Sequence, residues 1–127
     1  RPTAVRSDPL AVLADLRGAL SGMAEPHRLI VATAGHVPEV AMSRAEVVQL
    51  VTNLVANACE AMADPGRLEV ALVPDSKHVR LTVSDTGKMR GIGLSVVAGL
   101  LQRRGGRIQV ESSERGATFH VLLPQAC

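Results

Sequence analysis

Two spacings of apolar residues run through the chain, one helical and one alternating. The helical spacing occurs three times. Leu10, Leu13, Leu16 and Leu20 follow a cap at Ser7 or Asp8 with Pro9 at the first position, and this helix is expected to end near Gly22. Val47, Val51, Leu54 and Ala58 line one side of a helix from Ser43 to Met62. Its start is marked by Ser43 and Glu46, which stand at the spacing of a capping box. Leu94, Val97, Ala98 and Leu101 form the apolar side of a third helix, stopped by Gly105-Gly106. His27 to Ala34 reads as a strand, with Glu39 to Ala41 as a short second one. Leu68, Val70 and Leu72 alternate with polar or small residues, as do Val79, Leu81 and Val83, so the Pro74-Asp75-Ser76 turn is expected to close a hairpin. Ile108 and Val110 mark a further strand; Phe119, Val121 and Leu123 mark the last. The order is helix, strand pair, helix, hairpin, helix, hairpin. It predicts an α+β sandwich: two layers, with a mixed, mostly antiparallel sheet carrying helices on one face.

Length and composition narrow the class. A chain of 127 residues suits one domain with one core. Phe119 is the only aromatic residue, so that core must be aliphatic. A net charge of +2 is too small to imply a nucleic-acid or membrane surface by itself. No apolar run approaches the roughly 20 residues of a membrane span, and no signal peptide is visible. Cys59 and Cys127 are the only cysteines, one within a helix and one at the last position, which fits a reducing cytosol rather than a disulfide framework. His27, His36, His78 and His120 are scattered, which argues against a Cys/His metal site. Residues 1–7 lack periodicity and read as a linker or tail, leaving 8–127 as the folded unit.

The chemistry gathers on the middle helix. Glu46, Asn53, Asn57 and Glu60 form a polar stripe among Val, Leu and Ala. A buried amide without partners costs about a kilocalorie or more. Two such carbonyl oxygens one turn apart suit Mg²⁺ with a phosphate, because that ion takes few protein ligands and keeps its waters. Elsewhere, Asp85-Thr86-Gly87 ends a strand, and the glycine lets backbone come close to a flat ligand. Gly91 and Gly93 precede a helix whose free N–H groups and positive end suit phosphate oxygens. Gly116-Ala117-Thr118-Phe119 opens the last strand, and Leu123-Pro124 closes it.

In this order and on these elements, the boxes resemble the GHKL superfamily of ATP-binding domains. That group includes DNA gyrase, a heat-shock chaperone, a mismatch-repair ATPase and the sensor histidine kinases. Residues 8–124 look most like the catalytic and ATP-binding domain of a two-component histidine kinase, which implies the Bergerat-type sandwich. The resemblance implies an ATP site of Asn57, Ala61, Asp85, Gly87, Arg90, Gly91, Gly93, Leu94 and Thr118. Asp85 would bond the adenine amino group, Thr118 would lie near the adenine, and Asn57 would hold Mg²⁺. Asn53 and Asn57 are the catalytic positions. Hydrolysing members of the superfamily carry a Glu where Asn53 stands. An amide cannot take a proton from water, which favours phosphoryl transfer to a protein side chain. The run Asn57 to Met62 resembles the nitrogen-regulation type, with Glu60 where many histidine kinases carry Lys or Arg. Lys88 or Arg90 could supply that charge.

Two departures accompany the resemblance. Only Lys88, Met89 and Arg90 separate Gly87 from Gly91, where the family carries a long ATP lid. No histidine stands in a phospho-acceptor motif. The chain is therefore expected to be inactive alone. Its implied partners are the dimerisation domain bearing the acceptor His, and a response regulator. A monomeric domain is expected, cytoplasmic, without nucleic-acid or membrane contact, and compatible with a membrane-anchored parent protein. The competing readings are an inactive GHKL-fold interaction module and a serine-kinase anti-sigma factor.

Overall fold

The computed structural model describes residues 5–87, 94–113 and 115–126, and only the backbone of residues 94–96. Three helices and five strands follow in the order α1 (Pro9–Ala24), β1 (Arg28–Thr33), α2 (Arg44–Ala61), β2 (Arg67–Asp75), β3 (His78–Asp85), α3 (Leu94–Arg104), β4 (Arg107–Ser113) and β5 (Gly116–Pro124). The strands make one sheet in the order β1-β2-β3-β5-β4. Only β1 and β2 run parallel, and the intervening α2 makes the crossover that parallel pairing requires. The remaining pairs are antiparallel, so the expected α+β sandwich is observed.

Strand parity separates the two faces. Leu68, Val70, Leu72, Val79, Leu81, Val83, Phe119, Val121 and Leu123 are all buried. They meet Val47, Leu50, Val51, Leu54 and Ala58 of α2, Val12, Leu13 and Leu20 of α1, and Val97, Leu100 and Leu101 of α3. The alternate positions, such as Glu69, Thr82, Ser84 and Thr118, face away from the helices and are more accessible.

Local chemistry sets the helix starts. Asp8 caps α1 by accepting from the Leu10 N–H at 3.0 Å. At α2 the expected capping box is present. Ser43 Oγ accepts from the Glu46 N–H at 3.1 Å, and the Glu46 carboxylate accepts from the Ser43 N–H at 2.9 Å. Such a cap is worth about 1 kcal/mol.

Four expectations change. Glu39 to Ala41 is not a strand: Val40 forms single bridges to Ser7 and Gln125, and Pro38 has no N–H to extend a ladder. Ser7, read as tail, is thereby tied into the fold; its hydroxyl also donates to the Met42 carbonyl at 2.7 Å. Helix α1 continues past Gly22 to Ala24, which is buried. On α3 the buried residues are Val97, Leu100 and Leu101, while Ala98 is exposed, because it lies about 100° round the helix from Val97.

Helices α2 and α3 are joined at one end by an ion pair. The Arg104 guanidinium donates to both Glu46 carboxylate oxygens at 2.9–3.1 Å. Burial alone would raise the Glu46 pKa. The Ser43 N–H and the Arg104 charge outweigh burial and hold it below its ordinary value of 4.5. The stabilisation is therefore present above pH 4.5 and is lost as pH falls through the depressed folded value. Glu46→Gln should remove this acid-side slope and lower stability by about 0.5–1 kcal/mol at neutral pH, since Arg104 is partly exposed. Urea unfolding at neutral pH and at pH 4 checks both statements.

Candidate functional site

Asp85 is the last residue of β3, paired on one side with Leu68 and on the other with Ala117. It shares the parity of Leu81 and Val83, so its carboxylate enters the helix layer, and it is only 7% exposed. One oxygen, Oδ1, accepts from the Gly87 N–H at 2.8 Å. The other, Oδ2, is buried and has no hydrogen-bond partner among the described residues. Burial raises the Asp85 pKa, and the Gly87 and Ala117 N–H groups offset part of that rise. A buried, unpaired acceptor is costly, so such an atom points to a missing donor.

Gly87 is required by packing. A β carbon there would run into the Ala61 carbonyl and the Met62 side chain. The turn after β3 therefore lies directly against the C-terminal end of α2. Gly66 plays a similar part nearby, where a β carbon would meet Thr86 Oγ1 and Met62 Sδ.

Along α2, residues 53, 57 and 61 repeat every four positions and form one line on the helix. Asn57 is buried and Asn53 half-buried, whereas Glu60 is exposed. The Asn57 amide makes no hydrogen bond among the described residues. Glu46 shares this flank of α2, and its pairing with Arg104 shows that the flank looks toward α3. The line ends at Ala61, whose carbonyl abuts Gly87. Asn53, Asn57, Ala61, Gly87 and Asp85 thus belong to one region, bounded by α2, the α3 side and the end of β3. This region brings together one ionisable acceptor and two amides, with no cluster of three or more His, Cys, Asp or Glu side chains among the described residues.

Thr118 does not join this region. It pairs with Ser84, and its hydroxyl donates to Ser84 Oγ at 3.3 Å on the sheet face away from the helices. Ala117 is the residue beside Asp85, buried on the helix side. The Thr118 hydroxyl thus stands on the other sheet face from the Asp85 carboxylate, although both residues line one pocket at this end of the sheet. Alternation with Phe119 was the signal that could have revealed it. Arg90, Gly91 and Gly93 lie outside the described residues, as do Lys88 and Met89. Leu94 opens α3, with its side chain not described.

With this geometry in hand, similarity to known proteins identifies the class. The profile of the family described as histidine kinase-, DNA gyrase B- and HSP90-like ATPase matches residues 42–90, from the start of α2 past the end of β3. Sensor histidine kinase ZraS of Escherichia coli K12 is 29% identical over 109 residues, covering 69% of this chain and 23% of that protein. Sensor protein FixL of Bradyrhizobium diazoefficiens is 30% identical over 109 residues, covering 65% of this chain and 21% of FixL. This chain spans about a quarter or less of the curated relatives it matches. Among solved structures, full-length ShkA in complex with AMPPNP superposes with a TM-score of 0.80 at 20% identity, covering 100% of this chain and 32% of ShkA. The catalytic domain of histidine kinase ThkA gives 0.77 at 21% identity, with 98% of each chain covered. The fold is that of histidine kinase catalytic domains. Residues 42–90 are similar to the histidine kinase-, DNA gyrase B- and HSP90-like ATPase family, and the chain is similar to sensor histidine kinases over about two thirds of its length. Among the described residues, no helix is long and apolar enough to cross a membrane.

Proposed function

We propose that the chain binds ATP with Mg²⁺ in the region between α2, α3 and the end of β3, and passes the γ-phosphoryl group to a histidine on a separate dimerisation domain. The observation that carries this reading is the buried, unpartnered Oδ2 of Asp85. In its ionised form that oxygen accepts a hydrogen bond from an exocyclic amine such as that of adenine. Ala61 and Gly87 close the same end, packed directly against each other. Asn57 fits the metal role, being a buried amide with a free carbonyl on the line toward α3. Mg²⁺ bound there would neutralise phosphate oxygens. Asn53, one turn earlier, offers no base to activate water, which favours transfer over hydrolysis. Arg90, Gly91, Gly93 and Leu94 would meet the phosphates. The wider setting is a cytoplasmic two-component kinase of the nitrogen-regulation type, acting on a response regulator.

The reading is tested with labelled ATP and a dimerisation domain bearing the acceptor histidine. Label on that histidine supports it. Binding of ATP without transfer supports the second reading, an inactive interaction module. The shortness of the sequence between Gly87 and Gly91 favours that alternative. In keeping with a shortened loop, the 109 aligned positions with ZraS exceed the part of this chain they cover.

Asn57→Ala separates metal from base. Its loss of affinity should be larger for ATP with Mg²⁺ than for ADP without metal. Calorimetric titration of both ligands reads the difference, and equal losses would leave Asn57 a purely structural role.

A further inference from the structure

The open face of the sheet holds a pocket of about 270 Å³ that no residue of α1, α2 or α3 lines. Its walls are the ends of β2, β3 and β5 with the turn before β5. Arg67 and Arg115 line it, together with Glu69, Ser84, Thr118 and, at the end of β3, Asp85. We propose that this pocket, which borders the Asp85 region, is a second binding site for a small oxyanion of the phosphate or sulfate class.

Three observations carry the assignment. Neither Arg67 nor Arg115 forms an ion pair among the described residues, so neither guanidinium is committed to a carboxylate. Two arginines lining one pocket carry planar donor forks that match tetrahedral oxyanions. The hydroxyls beneath them are ordered: Thr118 donates to Ser84 at 3.3 Å, which leaves the Ser84 O–H free as a further donor. The volume sets the size. At about 270 Å³ the pocket falls just below the usual 300–1,000 Å³ range for drug-sized ligands. It therefore suits a bare anion or a small monoester, and not a nucleoside triphosphate.

Glu69 opposes the two cations and makes the proposal signed. It faces the pocket two residues after Arg67 on the same strand face. An anion must bind against its charge, whereas a cationic ligand would gain from it. Ser84 and Asp85 are neighbours on opposite faces of β3. The two sites therefore meet at Asp85, which also lines the pocket. The inference does not depend on the nucleotide reading.

The test is a titration of the chain with inorganic phosphate at constant ionic strength, followed by amide NMR, with chloride as the control. Saturable shifts at Ser84, Gly116 and Thr118 are expected. Arg67→Gln and Arg115→Gln should each weaken phosphate by about two- to fivefold, the range for solvent-exposed pairs. Glu69→Gln should tighten it by a similar factor. Adenosine, which carries no phosphate, should leave phosphate affinity unchanged. Linear shifts equal to those with chloride would overturn the site. So would unchanged affinity in both arginine variants, weaker binding in Glu69→Gln, or displacement of phosphate by adenosine. All three substitutions lie on the surface, and thermal unfolding confirms that the variants are folded.

Discussion

Asp85→Asn should weaken adenine nucleotide binding by about tenfold to a hundredfold, the worth of one hydrogen bond to a charged group. The same substitution should stabilise the unliganded protein at neutral pH. Burial raises the Asp85 pKa above its ordinary value of 3.8. The folded state therefore binds the proton more tightly than the unfolded state. The contribution of Asp85 to stability is highest below pH 3.8 and declines as pH rises through the raised folded value. Asparagine carries no charge to bury and removes that decline. Nucleotide affinity in the parent runs the other way, falling as pH drops through the raised value, because the ionised carboxylate is the stronger acceptor for an amine. Calorimetry with ADP across pH 4–8, beside urea unfolding of the free protein, measures both. Equal affinity and equal stability in variant and parent would remove Asp85 from the site.

Gly87→Ala is expected to be nearly as damaging by a different route. The added β carbon meets the Ala61 carbonyl, a backbone group of α2 that cannot rotate aside. The turn must then move away from α2, taking with it the N–H that orients Asp85 Oδ1. Overpacking of this kind costs about 1–3 kcal/mol. Loss of the oriented carboxylate should reduce nucleotide affinity at least about tenfold. Gly35→Ala is the control, since a β carbon there meets nothing within 4 Å. Equal melting temperatures and equal ADP affinities in the two variants would show that the contact at Ala61 has no consequence.

Much of this was legible from residue order. The capping box at Ser43 and Glu46, the buried run Val47 to Ala58, and the alternation of β2, β3 and β5 all depend on short spacings that tertiary packing preserved. Asp85 was legible because a carboxylate at a strand end beside glycine is a local pattern. The pairing of the Thr118 hydroxyl with Ser84 was hidden because it depends on the register of β5 against β3, which the triplet Gly116-Ala117-Thr118 does not encode alone. The Val40 bridges were hidden for the same reason, since Ser7 and Gln125 lie far from Val40 in sequence. The ion pair of Glu46 with Arg104 joins residues 58 positions apart, and nothing near either one announces it.

The Val40 bridges also set a lever length. They hold Ser7 and Gln125 together, and Ala41 donates to the Pro124 carbonyl at 2.8 Å. This is the end of the sheet where His78 pairs with Pro124, whereas Asp85 lies at the opposite end of β3. Eight residues of strand separate the two ends, a span of about 24 Å at the usual rise per residue. A pull or twist delivered through both chain ends would load the Val40 stitch first. It would reach Asp85 only as a rigid tilt of the whole sheet. Under such a load the sheet would move as one piece, and the proposed nucleotide region around Asp85 would travel unstrained.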